Sequence, residues 1–188
     1  MIISFIGPSG CGKGTQSKIL VEKDNFVSIS GGAILREEYR KKTDIGIELF
    51  NKYWKKGLWV PDDIIFKFII KEFNNTESNN VILDGYPRTL LQAILMDDYL
   101  ANIGKKVDLA FIFNLSSVIS KSRIIGREKI EKRIDVQDSA IKNRLASYTE
   151  NIDKIREYYS GKVVDIDANS SIDTIYNFIK KKINENKK

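Results

Sequence analysis

Histidine is absent from the 188-residue chain, and cysteine occurs once, as Cys11. The first absence excludes histidine-based triads, histidine metal sites and histidine acid–base catalysis. Any chemistry must then fall to carboxylates, lysine, arginine, hydroxyls or backbone. The second excludes an intramolecular disulfide and, with no CxxC pair, a structural zinc site, and it fits a reducing cytoplasm. No apolar run approaches the roughly 20 residues that a membrane span needs, so no membrane partner is expected. The opening MIISFIG has no basic stretch before it and leads straight into glycines, which predicts a strand rather than a secretion signal and a mature chain beginning at Met1.

What the sequence does have is a composition, 42% hydrophobic and 30% charged, expected of a soluble globular chain of one domain. Its net charge of +6 suits an anionic partner, either nucleic acid or polyphosphate. Much of that excess lies in the tail IKKKINENKK, which reads as the solvated face of a last helix. Short apolar runs at 2–6, 26–29, 81–84, 109–114 and 163–166 predict strands. Helical patterns follow at 13–23, 33–42, 45–56, 61–74, 89–103, 118–125, 139–159 and 172–184. Alternating elements with near-continuous apolar strands predict an α/β fold of three layers, α/β/α, around a central five-stranded parallel sheet. Two stretches break the rhythm and read as insertions on the core. Residues 30–74 carry three helical patterns without a strand, and 126–137 are highly charged without a strong period.

The first strand runs into GPSGCGKGTQ, with Gly7, four residues, Gly12 and Lys13 in the spacing of a P-loop. In a strand–loop–helix of this kind, inward-turned N–H groups and the helix N-terminus form an anion cradle, and the lysine contacts the β- and γ-phosphates. A nucleotide phosphate is the expected guest. Gly14 stands where that pattern has Ser or Thr, and the hydroxyl comes one place later as Thr15.

Taken with SGGAILR (30–36), GLWVPDDI (57–64), DGYPRTLLQA (84–93), RIIGR (123–127) and RIDVQDSAIKNRL (133–145), the GKGTQ loop resembles the nucleoside monophosphate kinases, and the adenylate kinases most of all, over nearly the whole chain. The resemblance implies one P-loop NTPase domain over 1–188, with 30–74 as the monophosphate-binding lobe and 126–137 as a short lid. It implies Mg²⁺-dependent phosphoryl transfer from ATP to AMP, giving two ADP, by a cytoplasmic monomer that needs no zinc and binds no nucleic acid. UMP or CMP as acceptor, or a catalytically weak nucleotide-binding module, are the alternatives.

By the same resemblance Gly10, Cys11, Gly12, Lys13, Gly14 and Thr15 would wrap the donor phosphates, and Arg36 and Arg88 would hold the acceptor phosphate. Arg123, Arg127, Arg133 and Arg144 would converge on the donor and on the group in transfer; a planar guanidinium binds phosphate oxygens in pairs and stays charged. Asp84 ends a strand at the carboxyl edge of the sheet, where α/β ligands sit, and would hold Mg²⁺ through water, with Thr15 a weaker candidate. Gln92 would read the adenine edge, its carboxamide offering a donor beside an acceptor. Gly31, Gly57, Val60 and Gly85 would surround the acceptor. This chain departs from the family pattern at Gly31, where adenylate kinases carry threonine and UMP/CMP kinases usually alanine. It departs again at Ala33, which replaces an aspartate, and at Val136, which replaces the second acid after Asp135.

Overall fold

A computed structural model describes residues 1–131 and 138–187, with 127–131 as backbone only. Strands β1 (Ile2–Ile6), β2 (Val27–Ser30), β3 (Val81–Asp84), β4 (Leu109–Asn114) and β5 (Val163–Asp167) form one sheet in the order β2-β3-β1-β4-β5. Every neighbouring pair is parallel. The all-parallel α/β architecture read from the strand–helix alternation is what the chain adopts.

Alternation of side chains along the strands builds two cores from one sheet. Ile2, Ile6, Val81, Leu83, Ala110 and Ile112 point to one face. There they meet α4 (Asp62–Asn74), α5 (Leu90–Asn102) and α7 (Asp138–Tyr158) through Ile69, Met96 and Ile155. Ile3, Phe5, Ile82, Phe111 and Phe113 point to the other, against α1 (Lys13–Asp24) and α8 (Ile172–Asn186) through Leu20, Ile175 and Ile179. Phe5 packs edge-on to Phe111 and Phe113, with centroids 5.7 and 5.1 Å away, a geometry that favours aromatic pairs beyond their buried area. This double burial explains why the strands read as apolar runs.

The remaining elements are α2 (Gly31–Arg40), α3 (Asp44–Lys52), a 3₁₀ turn (Trp54–Lys56) and α6 (Ser117–Glu131). Most boundaries fall within two residues of expectation, and three differences stand out. The helix expected over 45–56 stops at Lys52, because Tyr53 leaves helical geometry at φ −124°, ψ −64°, and the chain tightens into the 3₁₀ turn. Helix α2 begins two residues early, on Gly31 and Gly32. Helix α6 runs six residues beyond the expected end, through the charged GREKIE stretch, whose Arg, Glu and Lys favour helix without supplying an apolar stripe. Among the described residues, no helix is long and apolar enough to cross a membrane.

Candidate active site

Parallel strands bring the carboxyl ends of β1 and β3 side by side, with Phe5 opposite Asp84 in register, so the loops leaving them share one edge of the sheet. The loop after β1 turns tightly: a Cβ on Gly7 would lie 2.8 Å from Cys11 Sγ and 2.9 Å from Phe113 Cβ. Gly12 opens α1 in the left-handed region (φ 97°) and caps it with no side chain, which leaves the helix's first amides for an anion. The Lys13 ammonium lies over this loop. It donates to the carbonyls of Gly7 (2.8 Å) and Pro8 (2.9 Å) and reaches Cys11 Sγ at 3.3 Å.

A cleft opens beside the loop, lined by Gly7, Pro8, Ser9 and Lys13, by Gly85, Pro87 and Arg88 after β3, by Trp59, and by Arg144 and Tyr148 of α7. Its cations come from distant segments and crowd together. A Cβ on Gly85 would stand 3.5 Å from Arg88 Nη2 and 3.7 Å from Lys13 Cε. Arg36 Nη1 and Arg88 Nη2 lie 3.4 and 3.9 Å from the corresponding point on Gly32. Such a concentration of positive charge in a concave, partly apolar site is built for a polyanion. Burial pushes the Tyr148 phenol up to about 12, so it remains a neutral hydrogen-bonding group there.

A second pocket adjoins the cleft through Trp59, Gly85 and Arg88, and adds Gly31, Leu35, Val60, Ile65, Tyr86 and Gln92. The space a side chain at residue 31 would need is filled by Ile65, whose Cδ1 would lie 3.2 Å from a Cβ on Gly31. Gln92 accepts from the Arg88 backbone N–H (2.7 Å) and donates to Asp62 Oδ1 (2.7 Å). Burial, and then the nearby Asp62 charge, push the Tyr86 phenol above its ordinary value, and its hydroxyl donates to the Gln92 carbonyl.

On the far side of the loop a groove is lined by Gly10, Cys11, Gly12 and Thr15, by Arg123 and Gly126 of α6, and by Ala168, Ser170 and Ile172 after β5. Arg123 Nη1 donates to the Ala168 carbonyl at 3.0 Å, which holds the guanidinium across the groove.

Asp84 stands at the carboxyl end of β3, its Oδ2 3.6 Å from where a Cβ on Gly14 would be, and Thr15 is exposed in the first turn of α1. Among the described residues no three His, Cys, Asp or Glu side chains gather as a metal cage. One carboxylate beside a phosphate-binding loop instead fits Mg²⁺, which keeps most of its waters and takes phosphate oxygens as ligands.

Thus Lys13, Arg88 and Arg144 share one cleft, Gly31, Val60, Gly85 and Gln92 the adjoining pocket, and Gly10, Cys11, Gly12, Thr15 and Arg123 the groove. Gly57 lies elsewhere, ending the 3₁₀ turn against Ala140 of α7. The Arg127 side chain, Arg133, Asp135 and Val136 fall outside the described residues. Three residues of these sites escaped the sequence reading. Trp59 sits inside the quoted GLWVPDDI segment, Asp62 is the first residue of α4, and Tyr148 is marked by no local signal.

The family model for adenylate kinase matches residues 5–164. A protein named adenylate kinase from Azobacteroides pseudotrichonymphae genomovar. CFP2 is 33% identical over 184 residues, covering 96% of each chain. One from Mycobacterium leprae (strain Br4923) is 33% identical over 177 residues, covering 94% of this chain and 95% of its own. Another, from Clostridium botulinum (strain Loch Maree / Type A3), is 29% identical over 206 residues, covering 94% of this chain and 95% of its own. That last alignment is longer than this chain, so the Clostridium protein carries residues that this chain lacks.

Proposed function

The chain belongs to the adenylate kinase family, and from that premise we propose a Mg²⁺-dependent enzyme that transfers a phosphoryl group reversibly from ATP to AMP, giving two ADP. The observation that carries this reading is the meeting of Lys13, Arg88 and Arg144 in one cleft between the loop and the Gln92 pocket.

The chemistry asks little covalent help of the protein. An AMP phosphate oxygen attacks the γ-phosphorus of ATP, and the bond from that phosphorus to the β–γ bridging oxygen breaks with its electron pair leaving on ADP. The attacking oxygen belongs to a phosphate monoester whose second pKa is about 6, so it carries no proton at neutral pH and needs no general base. The lack of histidine therefore costs nothing. What remains is to hold two polyanions in line and neutralise the charge between them.

In this arrangement the backbone of residues 10–15 wraps the donor phosphates, and Lys13 exchanges one of its loop carbonyls for a phosphate oxygen. Arg36 and Arg88 hold the AMP phosphate. Arg144 meets the transferring group, with Arg123, Arg127 and Arg133 contributing from the lid side. The donor base lies in the groove under Arg123, and the acceptor base against Val60 and Gln92. Asp84 and Thr15 would hold Mg²⁺ beside the triphosphate, where its charge supplements the arginines. Lobe 30–74 and the short lid over 126–137 close on the substrates and exclude water that would otherwise hydrolyse ATP. We place the enzyme in the cytoplasm as a monomer acting on free nucleotides.

A coupled assay of the purified protein with ATP and each of AMP, UMP, CMP and GMP tests the reading. AMP should give the highest kcat/KM, and Lys13→Ala should lower it by orders of magnitude. Turnover with none of the four would refute it.

A further inference from the structure

Gln92 is 2% exposed, and its carboxamide is fixed from both ends. Its Oε1 accepts the Arg88 backbone N–H at 2.7 Å, and its Nε2 donates to Asp62 Oδ1 at 2.7 Å. The other Asp62 oxygen accepts from the Thr89 hydroxyl at 2.8 Å. A backbone N–H can only donate and a carboxylate can only accept. Turning the amide over would set its NH₂ against the Arg88 N–H and its oxygen against the Asp62 carboxylate, so both contacts would become repulsive.

Each amide atom keeps one hydrogen-bonding position, a proton on Nε2 and a lone pair on Oε1. They border a pocket whose nearby walls, Gly31, Val60 and Ile65, offer no polar side-chain atom, and the Tyr86 hydroxyl is committed to the Gln92 carbonyl. A 6-aminopurine presents a donor beside a ring acceptor, whereas a 6-oxopurine presents the reverse order. A carboxamide free to rotate by half a turn can satisfy either base. A carboxamide of fixed polarity satisfies one.

We propose that Asp62 is a positioning residue for base choice: by anchoring Nε2 of Gln92 it imposes the amide polarity that admits 6-amino bases and turns away 6-oxo bases at the acceptor site. The inference rests on the reading of AMP as acceptor and of Gln92 as the group facing its base. It assigns selectivity to a residue of the inserted lobe, whereas Gln92 belongs to the core.

The test compares kcat/KM for AMP and for IMP, with saturating ATP, in the wild type and in Asp62→Asn. An asparagine can turn its own amide to donate to a flipped Gln92, which leaves the Arg88 N–H as the remaining anchor, so the AMP:IMP ratio should narrow by up to about tenfold, with the KM for ATP unchanged. A merely structural defect would lower both acceptors together and leave the ratio intact, and that result overturns the proposal. Asp62→Glu, which restores an obligate acceptor, should recover part of the ratio. Should Asp62→Asn fail to fold, Asp62→Ala removes the acceptor outright and should also narrow the ratio; an unchanged ratio there also overturns the proposal. A wild type inactive on AMP refutes the acceptor reading itself, whereas AMP turnover with an unmoved ratio refutes only the role of Asp62.

Discussion

Gly57→Ala tests whether the 3₁₀ turn after α3 is seated on α7. Gly57 has φ 72°, and a Cβ on it would lie 2.5 Å from Ala140 Cα and 2.6 Å from its carbonyl carbon, nearer still to the carbonyl oxygen. These are backbone atoms at the start of a helix and cannot rotate away. Two side chains of α7 bond to the same turn: Asn143 Nδ2 donates to the Lys56 carbonyl at 2.8 Å and Arg144 Nη2 to that of Trp54 at 3.2 Å. Gly104→Ala provides the control, since Gly104 has φ 67° and nothing within 4 Å of its would-be Cβ. It should cost only the left-handed backbone penalty, about 1 kcal/mol. At Gly57 the same penalty is joined by displacement of the turn from α7 and loss of both hydrogen bonds, at about 0.5–1.5 kcal/mol each. The sum is about 2–4 kcal/mol, and for a chain of this size each kcal/mol lowers Tm by about 2–4 °C. Urea unfolding of the two variants measures the difference directly. Because Arg144 also lines the cleft, Gly57→Ala should lower kcat/KM as well, while Gly104→Ala leaves it unchanged. Equal losses of stability in the two variants would refute the close seating of Gly57 on Ala140.

The Gly31→Thr change should cost about 1–3 kcal/mol of stability by crowding Ile65, whose Cδ1 and Cγ1 would lie 3.2 and 3.5 Å from the new Cβ. Ile65→Val removes the nearer atom, so a double-mutant cycle in urea should show a favourable coupling, and strict additivity would contradict the packing argument. Acid sensitivity follows from Asp165, whose carboxyl is held below its usual range by paired bonds from Arg156 at 2.8 and 2.7 Å and by Asn114 at 2.8 Å. Its folded pKa lies under the unfolded value of about 3.9, so its contribution is present above that pH and lost as pH falls through the folded value. With side chains 51% and 37% exposed the pair is worth under about 1 kcal/mol; the stability gap between wild type and Asp165→Asn should close below about pH 4, and a gap that widens on acidification would reverse the sign. Arg88→Ala should lower kcat/KM for every monophosphate by orders of magnitude yet preserve the AMP:IMP ratio, because Gln92 is held by the residue 88 backbone N–H. Loss of the ratio in kinetics with both acceptors would count against a backbone anchor.

The fold was legible wherever burial leaves a periodic trace. Strands covered on both faces must be apolar throughout, and β1, β3 and β4 stood within the residues expected. Helix α6 was cut short in the reading because GREKIE carries helix-forming residues without an apolar stripe. The neighbourhood of Lys13 and Arg88 was legible for a different reason: each lies in a compact local motif, and parallel pairing of β1 with β3 brings the two motifs together. Contacts between motifs left no such mark. Asp62 stands in the first turn of α4, where an acid suits the helix dipole, and nothing in the local pattern ties it to Gln92 thirty positions on. Gly57, expected beside the acceptor, is instead the point where α7 presses on the 3₁₀ turn, a close approach that depends on a partner distant in sequence.

On the proposed function, the turn after β3 would make base reading and phosphate binding one mechanical unit. Its side chains and its main chain do different work on adjoining sites. The Arg88 guanidinium, steadied by its Nε donating to the Gly85 carbonyl at 3.0 Å, faces the cleft, while the same residue's amide anchors Gln92 beside the adjoining pocket. Thr89 caps α5 by accepting from the Gln92 N–H and also donates to Asp62, so the start of α5 is bonded to the start of α4. On that reading a base that satisfies Gln92 would leave the residue 88 main chain in place, and a base that strains Gln92 would shift that main chain and, with it, the acceptor phosphate. Because phosphoryl transfer depends on in-line placement, discrimination arising in the pocket is expressed in the rate as well as in binding.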